Sequence, residues 1–188
     1  MKVTITVDFE HLAAEVEPRV LLVEWLRAIG KTGVHVGCDT SSCGACTVLV
    51  DGAPVKSCTM LVMQAAGTAI ETIHGLTPAE GLSPVQEAFA DEHGLQCGFC
   101  TPGFVVSTVG LLRESPDPST EEIIDALEGN LCRCTGYTSI LRAVHRAAAL
   151  LAGEQRPIEA GLSHETPVIR NLIASSEVHE DLSDTEIV

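Results

Sequence analysis

The sequence is poor in aromatic side chains and in cations. Aromatic residues make up 3% of its 188 residues, and 11 Lys and Arg stand against 26 Asp and Glu, so the formal net charge is −15. A nucleic-acid interface needs cations for the phosphates and aromatic rings on which bases stack. An anionic membrane surface needs cations as well. The composition therefore makes nucleic acid and an anionic membrane surface poor binding partners for this chain.

The sequence also lacks a long hydrophobic run. No apolar stretch approaches the roughly 20 residues that span a bilayer. The first residues, MKVTITVDFE, alternate as a strand does and contain no apolar signal segment. We therefore expect a cytoplasmic protein without a membrane span. In that compartment cysteines stay reduced and are available to bind metal.

Cysteine is abundant, and the first four cysteines form a metal-binding pattern that we call the first quartet. Cys38, Cys43 and Cys46 have the spacing C-x4-C-x2-C, and Cys58 follows. This is the spacing of the plant-type loop that holds a [2Fe–2S] cluster together with a fourth, more distant cysteine. Gly44 suits such a loop because glycine tolerates positive φ and a close backbone approach. A four-thiolate zinc site and a disulfide loop are the alternatives.

The other four cysteines form the second quartet, which consists of Cys97, Cys100, Cys132 and Cys134. Two complete ligand sets predict two clusters. Cys97 and Cys100 precede one predicted helix, and Cys132 and Cys134 precede another. We expect both pairs at helix N-termini, where free N–H groups and the helix dipole favour thiolates and an anionic cluster.

The N-terminal part of the chain predicts a small mixed sheet with one helix. Asp51-Gly52 is the strongest hairpin signal, and VLLVEWLRAI at 20–29 has the apolar spacing of a helix. Alternating or β-branched runs bounded by turns predict strands at 3–7, 12–16, 47–50, 53–56 and 69–73. This order of elements is the β-grasp arrangement expected of plant-type ferredoxins.

The rest of the chain predicts helices. Residues 74–82 combine Gly, Pro and Thr without an apolar period, which is typical of a linker. Four helices are expected after it, beginning near Pro84, at Thr101, after Ser119 and at about Thr138. The segment beyond the fourth helix is acidic and has little helical period, as in a tail that is disordered or wraps a partner.

Three segments together resemble the small iron–sulfur subunit of the molybdenum hydroxylases, the xanthine dehydrogenase and aldehyde oxidase family. They are GCDTSSCGAC at 37–46, QCGFCTPG at 96–103 and GNLCRCTGY at 129–137. The resemblance covers about residues 2–152. Two cysteine quartets in this order and with these neighbours have few rivals among other proteins.

The resemblance implies an α+β fold in two domains, each with one [2Fe–2S] cluster. Residues 1–76 are expected to form a β-grasp ferredoxin domain, and residues 77–152 a four-helix [2Fe–2S]-binding domain. Residues 153–188 are the acidic tail, disordered or wrapped around a partner subunit.

The resemblance further implies an electron-transfer subunit of an oxidoreductase complex, with no catalytic residue of its own. In this family a large subunit holds molybdenum on molybdopterin, often as the cytosine dinucleotide in bacteria, and a medium subunit holds FAD. Electrons are expected to pass from molybdenum through the second quartet's cluster, then the first quartet's cluster, to FAD, and to leave to a quinone or another acceptor. Cys134 then faces the pterin, with Gln96 as a pterin contact. A dimer of heterotrimers, peripherally associated with a membrane through its quinone partner, is the expected assembly.

One position hints at the substrate. Many members of the family carry glycine in the third position between the first two cysteines, where this chain has Ser41. The DTSS form is most similar to the aerobic carbon monoxide dehydrogenases, which convert CO and water to CO2. Purine, N-heterocycle and aldehyde hydroxylases are the alternatives, since the large subunit decides the substrate.

Two hypotheses of another kind stay open. A zinc-stabilised interaction module would use the same thiolates. A free-standing two-cluster ferredoxin would carry electrons without large partners.

Overall fold

The computed structural model of the chain describes residues 1–153. The acidic tail expected at 153–188 therefore lies outside the described residues, apart from Gly153. Within residues 1–153 no helix is long and apolar enough to cross a membrane.

The N-terminal part forms a five-stranded sheet with the strands β1 (Lys2–Val7), β2 (Glu10–Glu15), β3 (Thr47–Val50), β4 (Ala53–Lys56) and β5 (Ala69–Glu71). Their order across the sheet is β2-β1-β5-β3-β4. The pair β1 and β5 is parallel, whereas the other neighbours are antiparallel. Two hairpins joined by a central strand, β5, which is parallel to β1, are the β-grasp arrangement, so that prediction is confirmed.

Both hairpins close with two-residue turns in the left-handed region of backbone space. Asp8 and Phe9 have φ of 48° and 72°, and Asp51 and Gly52 have φ of 49° and 87°. Turns of this hand match the twist of the strands they join. The Asp-Gly turn lies where the sequence predicted it. The first turn is shorter than the predicted one at 8–11, so β2 begins earlier than expected.

Helix α1 (Leu22–Ala28) packs on the sheet and confirms the helix predicted at 20–29. Four of its side chains are buried in the core that it shares with the strands, namely Leu22, Val23, Trp25 and Leu26. The same core contains Cys46 and Cys58, each 2% exposed. Two thiols of the first quartet are thus fixed by the packing of this core.

The helical part consists of α2 (Ile73–Leu76), α3 (Pro84–Asp91), α4 (Thr101–Glu114), α5 (Thr120–Leu127) and α6 (Thr138–Leu151). Helices α3 to α6 confirm the four predicted helices, and they share a second core. Helix α3 begins with the expected capping box, in which Ser83 Oγ accepts from Gln86 N at 3.4 Å and Gln86 Oε1 accepts from Ser83 N at 2.9 Å. Ser119 and Glu122 repeat this arrangement at α5.

The predicted linker at 74–82 is wrong in its first part, because α2 lies there. Thr72 Oγ1 accepts a hydrogen bond from His74 N at 3.1 Å and caps this short helix. Thr72 is itself held by Asp8, whose carboxylate accepts from its N–H at 2.7 Å and from its hydroxyl at 2.8 Å. A contact between distant residues therefore fixes α2, and the local sequence does not reveal it.

Helix α4 also packs against the sheet and so joins the two parts. Arg113 donates two hydrogen bonds, at 2.5 and 2.9 Å, to the Glu71 carboxylate on β5. Closer to the middle of α4, a Cβ at Gly110 would lie 2.5 Å from Pro54 Cγ and 3.3 Å from Leu49 Cδ2. A glycine is needed there for the helix to approach the sheet this closely.

We expect Gly110→Ala to lower the free energy of unfolding by about 1–3 kcal/mol, the usual cost of overpacking. Alanine favours a helix by about 1 kcal/mol relative to glycine, but the rigid Pro54 ring cannot move aside. Denaturant unfolding followed by circular dichroism measures the change. Combining Gly110→Ala with Pro54→Ala should recover most of the loss, and a double variant no more stable than the single one would contradict the steric argument.

Candidate metal centres

The first quartet is assembled by a loop and a hairpin. Cys38 and Cys43 lie in the loop between α1 and β3, Cys46 directly precedes β3, and Cys58 lies in a 3₁₀ turn after β4. Because β3 and β4 form an antiparallel hairpin, its end places Cys58 close to Cys46. Ser57 fixes this arrangement, since its hydroxyl donates to the Cys46 carbonyl at 2.6 Å.

The four thiols of the first quartet form two pairs. The Cys43 thiol interacts with that of Cys38, and the Cys46 thiol interacts with that of Cys58. Burial raises the pKa of Cys43, and burial raises the pKa of Cys46 to about 11. Cys43 also lies near enough to Cys58 for their charges to interact, so the two pairs are neighbours.

The Cys38 sulfur accepts hydrogen bonds from its own loop. The backbone N–H groups of Thr40 and Cys43 each donate to its Sγ at 3.4 Å. Hydrogen bonds from the backbone and side chain of Thr40, followed by those from Cys43, lower the pKa of Cys38 to about 6. Hydrogen bonds of this kind favour the thiolate that binds metal and tune the potential of a bound cluster.

The loop of the first quartet uses left-handed backbone at three places. Asp39, Ser41 and Gly44 have φ of 56°, 62° and 70°. A side chain costs about 1–2 kcal/mol in this conformation, so glycine suits the position that Ser41 occupies. Gly44 is also enclosed, because a Cβ there would lie 2.5 Å from the Gly129 carbonyl oxygen.

The second quartet joins two loops. Cys100 is the N-cap residue of α4, and the exposed Cys97 lies just before it. Cys132 and Cys134 lie in the loop before α6, where Tyr137 is the N-cap residue. The predicted placement at a helix N-terminus is therefore right for Cys100. It is wrong for Cys97, Cys132 and Cys134, which lie at least three residues before an N-cap residue, because the helix dipole acts within the first turn.

The four thiols of the second quartet also form two pairs. The Cys134 thiol interacts with that of Cys97, and the Cys100 thiol with that of Cys132. Burial, followed by the contact with Cys132, raises the pKa of Cys100 to about 12. Thr135 donates to Cys132 Sγ from its N–H at 3.4 Å and from its hydroxyl at 3.1 Å. Burial acts to raise the pKa of Cys132, but the hydrogen bonds outweigh it and the pKa is lowered.

The donor set fits two [2Fe–2S] clusters. Such a cluster takes four cysteine thiolates, two on each iron, and each quartet presents its thiols as two pairs. Among residues 1–153, no three His, Cys, Asp or Glu side chains are grouped in a way that would hold one metal ion. Clusters bound by the quartets would supply reversible one-electron chemistry.

The sequence analysis missed the residues that join the two quartets. Asn130 is 4% exposed, and its Nδ2 donates to the Gly44 carbonyl at 3.2 Å. The neighbouring Leu131 N–H donates to the Cys43 carbonyl at 2.9 Å. The available signal was the position of Asn130 in the segment GNLCRC, close to Cys132.

A second contact joins the same two loops. The rings of His35 and Phe99 stack with centroids 4.8 Å apart, and His35 Nδ1 donates to the Phe99 carbonyl at 2.7 Å. His35 precedes the first quartet, and Phe99 lies between Cys97 and Cys100 of the second.

Three apolar side chains close in sequence to cysteines of the second quartet are exposed, and so is Arg133 between Cys132 and Cys134. Phe99, Leu131 and Tyr137 are 48%, 54% and 39% exposed. Gln96 is exposed beside Cys97. Exposed aromatic and aliphatic side chains are typical of a protein–protein interface.

Two family models match the chain. The 2Fe-2S iron-sulfur cluster binding domain matches residues 5–70, and the [2Fe-2S] binding domain matches residues 72–145. Together they cover both quartets.

Curated relatives and solved structures agree with these matches. The nicotine 6-hydroxylase small subunit of Paenarthrobacter nicotinovorans is 47% identical over 145 residues, which cover 77% of this chain and 87% of the relative. The caffeine dehydrogenase subunit gamma of Pseudomonas sp. (strain CBB1) is 42% identical over 146 residues, with coverages of 76% and 87%. A chain of quinoline 2-oxidoreductase from Pseudomonas putida 86 superposes with a TM-score of 0.77 at 43% identity, and the match covers 82% of this chain and 98% of that one.

Thr135→Val should lower the reduction potential of a cluster bound by the second quartet. The variant removes the hydroxyl donor to Cys132 Sγ but keeps the N–H donor, and a donor to sulfur stabilises the extra negative charge of the reduced state. A hydrogen bond of about 0.5–1.5 kcal/mol corresponds to about 20–65 mV for one electron. A redox titration followed by EPR measures the shift.

Thr101→Val is the matched control. Thr101 follows Cys100, and its hydroxyl is buried without a hydrogen-bond partner among the described residues. Its replacement should leave the potential unchanged. Equal shifts in the two variants would contradict the role given to the Thr135 hydroxyl.

Proposed function

Because the chain belongs to the small iron–sulfur subunits of the molybdenum hydroxylases, we propose that its quartets hold the two [2Fe–2S] clusters through which electrons pass from molybdenum to FAD. Its family makes it an electron-transfer 2Fe–2S subunit of an oxidoreductase complex of this type. The pairing of the thiols is the observation that carries the assignment of the ligands.

Each thiol pair binds one iron, and the pairs are Cys38 with Cys43, Cys46 with Cys58, Cys97 with Cys134, and Cys100 with Cys132. The chain supplies no catalytic residue, since the substrate reacts at molybdenum on the large subunit. Its contribution is to hold the thiolates, to donate hydrogen bonds to their sulfurs and to keep the quartets at a fixed separation.

The second quartet faces the molybdopterin, and the first lies nearer FAD. Cys97 and Cys134 are exposed, whereas Cys38 and Cys43 are half-buried and Cys46 and Cys58 are buried. The exposed side chains of Phe99, Leu131 and Tyr137 support a partner at the second quartet. Gln96 then contacts the pterin, since it is exposed beside Cys97.

The two cores support a division into a β-grasp domain at 1–76 and a four-helix domain at 77–152. The remaining features of the assembly follow from the resemblance. They are a large subunit with the cytosine dinucleotide form of molybdopterin, a medium subunit with FAD, and a dimer of heterotrimers in the cytoplasm, with any membrane association peripheral.

For the substrate, the relatives favour a nitrogen heteroaromatic compound. Nicotine, caffeine and quinoline appear in the names of the relatives described above. Carbon monoxide, predicted from Ser41, is the second candidate. Ser41 has φ of 62°, so the choice between serine and glycine there reflects the backbone of the loop more directly than the substrate.

The experiment that tests the function is metal analysis and EPR of the purified complex. We expect about four irons per small subunit and two distinct signals after reduction with dithionite, since each [2Fe–2S] cluster takes one quartet. Cys134→Ser should alter one signal and Cys58→Ser the other. In the complex, Cys134→Ser should also slow the reduction of FAD by substrate, because the second quartet receives the electrons first.

Other results would contradict the proposal. A colourless protein with zinc would indicate an interaction module, and full electron-carrier activity of the chain without large partners would indicate a free-standing ferredoxin. Loss of the same signal in both cysteine variants would contradict the division into quartets. Reduction by carbon monoxide, and not by nitrogen heteroaromatic compounds, would reverse the order of the two substrate classes.

A further inference from the structure

A buried polar contact joins the two quartets and involves none of the thiols. We propose that Asn130 is a positioning residue that fixes the separation of the quartets, and that the hydrogen bond from Leu131 N–H to the Cys43 carbonyl couples them electronically. The inference rests on the proposed function, since coupling requires a cluster in each quartet.

The Asn130 side-chain amide both donates and accepts a hydrogen bond. Its Nδ2 donates to the Gly44 carbonyl at 3.2 Å, and its Oδ1 accepts from Ser107 Oγ at 3.0 Å. Asn130 and Ser107 are each 4% exposed. A buried amide that lost these partners would be left unsatisfied, which is costly. Asn130 therefore ties the loop of the first quartet to α4, from its own place beside the second.

The neighbouring glycines show how closely these parts approach. A Cβ at Gly103 of α4 would lie 2.2 Å from the Gly44 carbonyl oxygen, and one at Gly44 would lie 2.6 Å from Asn130 Nδ2. The backbone of the first loop thus lies directly on α4, where no side chain fits between them. Asn130 hydrogen-bonds to both parts of this contact, to Gly44 in the loop and to Ser107 in α4.

The hydrogen bond beside Asn130 connects a ligand loop of each quartet. The Cys43 carbonyl accepts from Leu131 N–H at 2.9 Å, and Leu131 is followed by Cys132. A route of covalent bonds with one hydrogen bond therefore runs from the Cys43 thiol to the Cys132 thiol. Electron tunnelling falls off less steeply along bonded atoms than across a gap, so this route favours transfer.

The reaction along this route is the transfer of a single electron. One electron would pass from the reduced cluster of the second quartet to the oxidised cluster of the first. No covalent bond forms or breaks, and no proton moves. The reducing equivalent comes from the substrate in the complex and from dithionite in the test.

Loss of Asn130 should weaken this junction without separating the two parts of the fold. The paired hydrogen bonds between Arg113 and Glu71 and the ring stack of His35 on Phe99 join the same parts elsewhere. The effect of an Asn130 variant can therefore be read in a folded chain.

The test uses the full complex with Asn130→Ala and Asn130→Asp. Aspartate keeps the acceptor for Ser107 but loses the N–H donor to Gly44. We expect both variants to retain both clusters. Hydrogen exchange at the Leu131 amide should become about three- to tenfold faster, as for the loss of one hydrogen bond. The spin–spin interaction between the two reduced clusters in EPR should decrease, and electron redistribution after partial reduction by dithionite should slow.

Glu71→Gln is the control, because it weakens the ion pair with Arg113 and leaves the Asn130 contacts intact. It should change neither the Leu131 exchange nor the spin–spin interaction. Ser107→Ala, which removes the anchor of Asn130 but not its donor to Gly44, should shift both readouts less than Asn130→Asp.

Unchanged exchange and unchanged spin–spin interaction in Asn130→Asp would overturn the proposal. If Asn130→Ala and Asn130→Asp lose a cluster, Ser107→Ala decides, and wild-type values in that variant overturn the proposal as well. Failure of the proposed function would look different, since the wild-type complex itself would then lack two iron–sulfur signals. The Leu131 exchange would still report on the contact made by Asn130.

Discussion

Thiols from different parts of the chain have to meet in pairs, and the rest of the structure follows from that constraint. Cys46 meets Cys58 because β3 and β4 form a hairpin, with Ser57 tying its end to the Cys46 carbonyl. The second quartet brings Cys97 to Cys134 across helices that share one core. The sheet and the helices thus perform the same task, which is to hold two loops so that their sulfurs face each other.

The positions of the eight cysteines and most of the elements could be predicted from the sequence, because their signals are local. The turn at Asp51-Gly52 and the capping boxes at Ser83 and Ser119 lie where the spacing placed them. Contacts between distant residues could not be predicted. Asn130 binds Gly44 across 86 residues of sequence, and no spacing rule operates over such a separation. The pairing of thiols within each quartet belongs to the same class, since the folded loops decide it.

The two quartets differ in their surroundings as well as in their scaffolds. Burial holds Cys46 and Cys58 inside the core of the sheet, whereas Cys97 and Cys134 reach the surface among exposed apolar side chains. An electron path between two partner subunits needs each cluster near the surface that faces its partner and a fixed distance between the clusters. In the proposed function the exposed second quartet faces one partner, and in the proposed role of Asn130 its contact with Gly44 sets the distance to the first quartet.

Anomalous X-ray scattering from crystals of the purified complex tests the central claim most directly, because it locates each metal and identifies its element. The account predicts two pairs of iron peaks in this chain, with every iron between the two thiols of one pair. A single zinc peak at the centre of either quartet, or iron bound by thiols of both quartets, would contradict it.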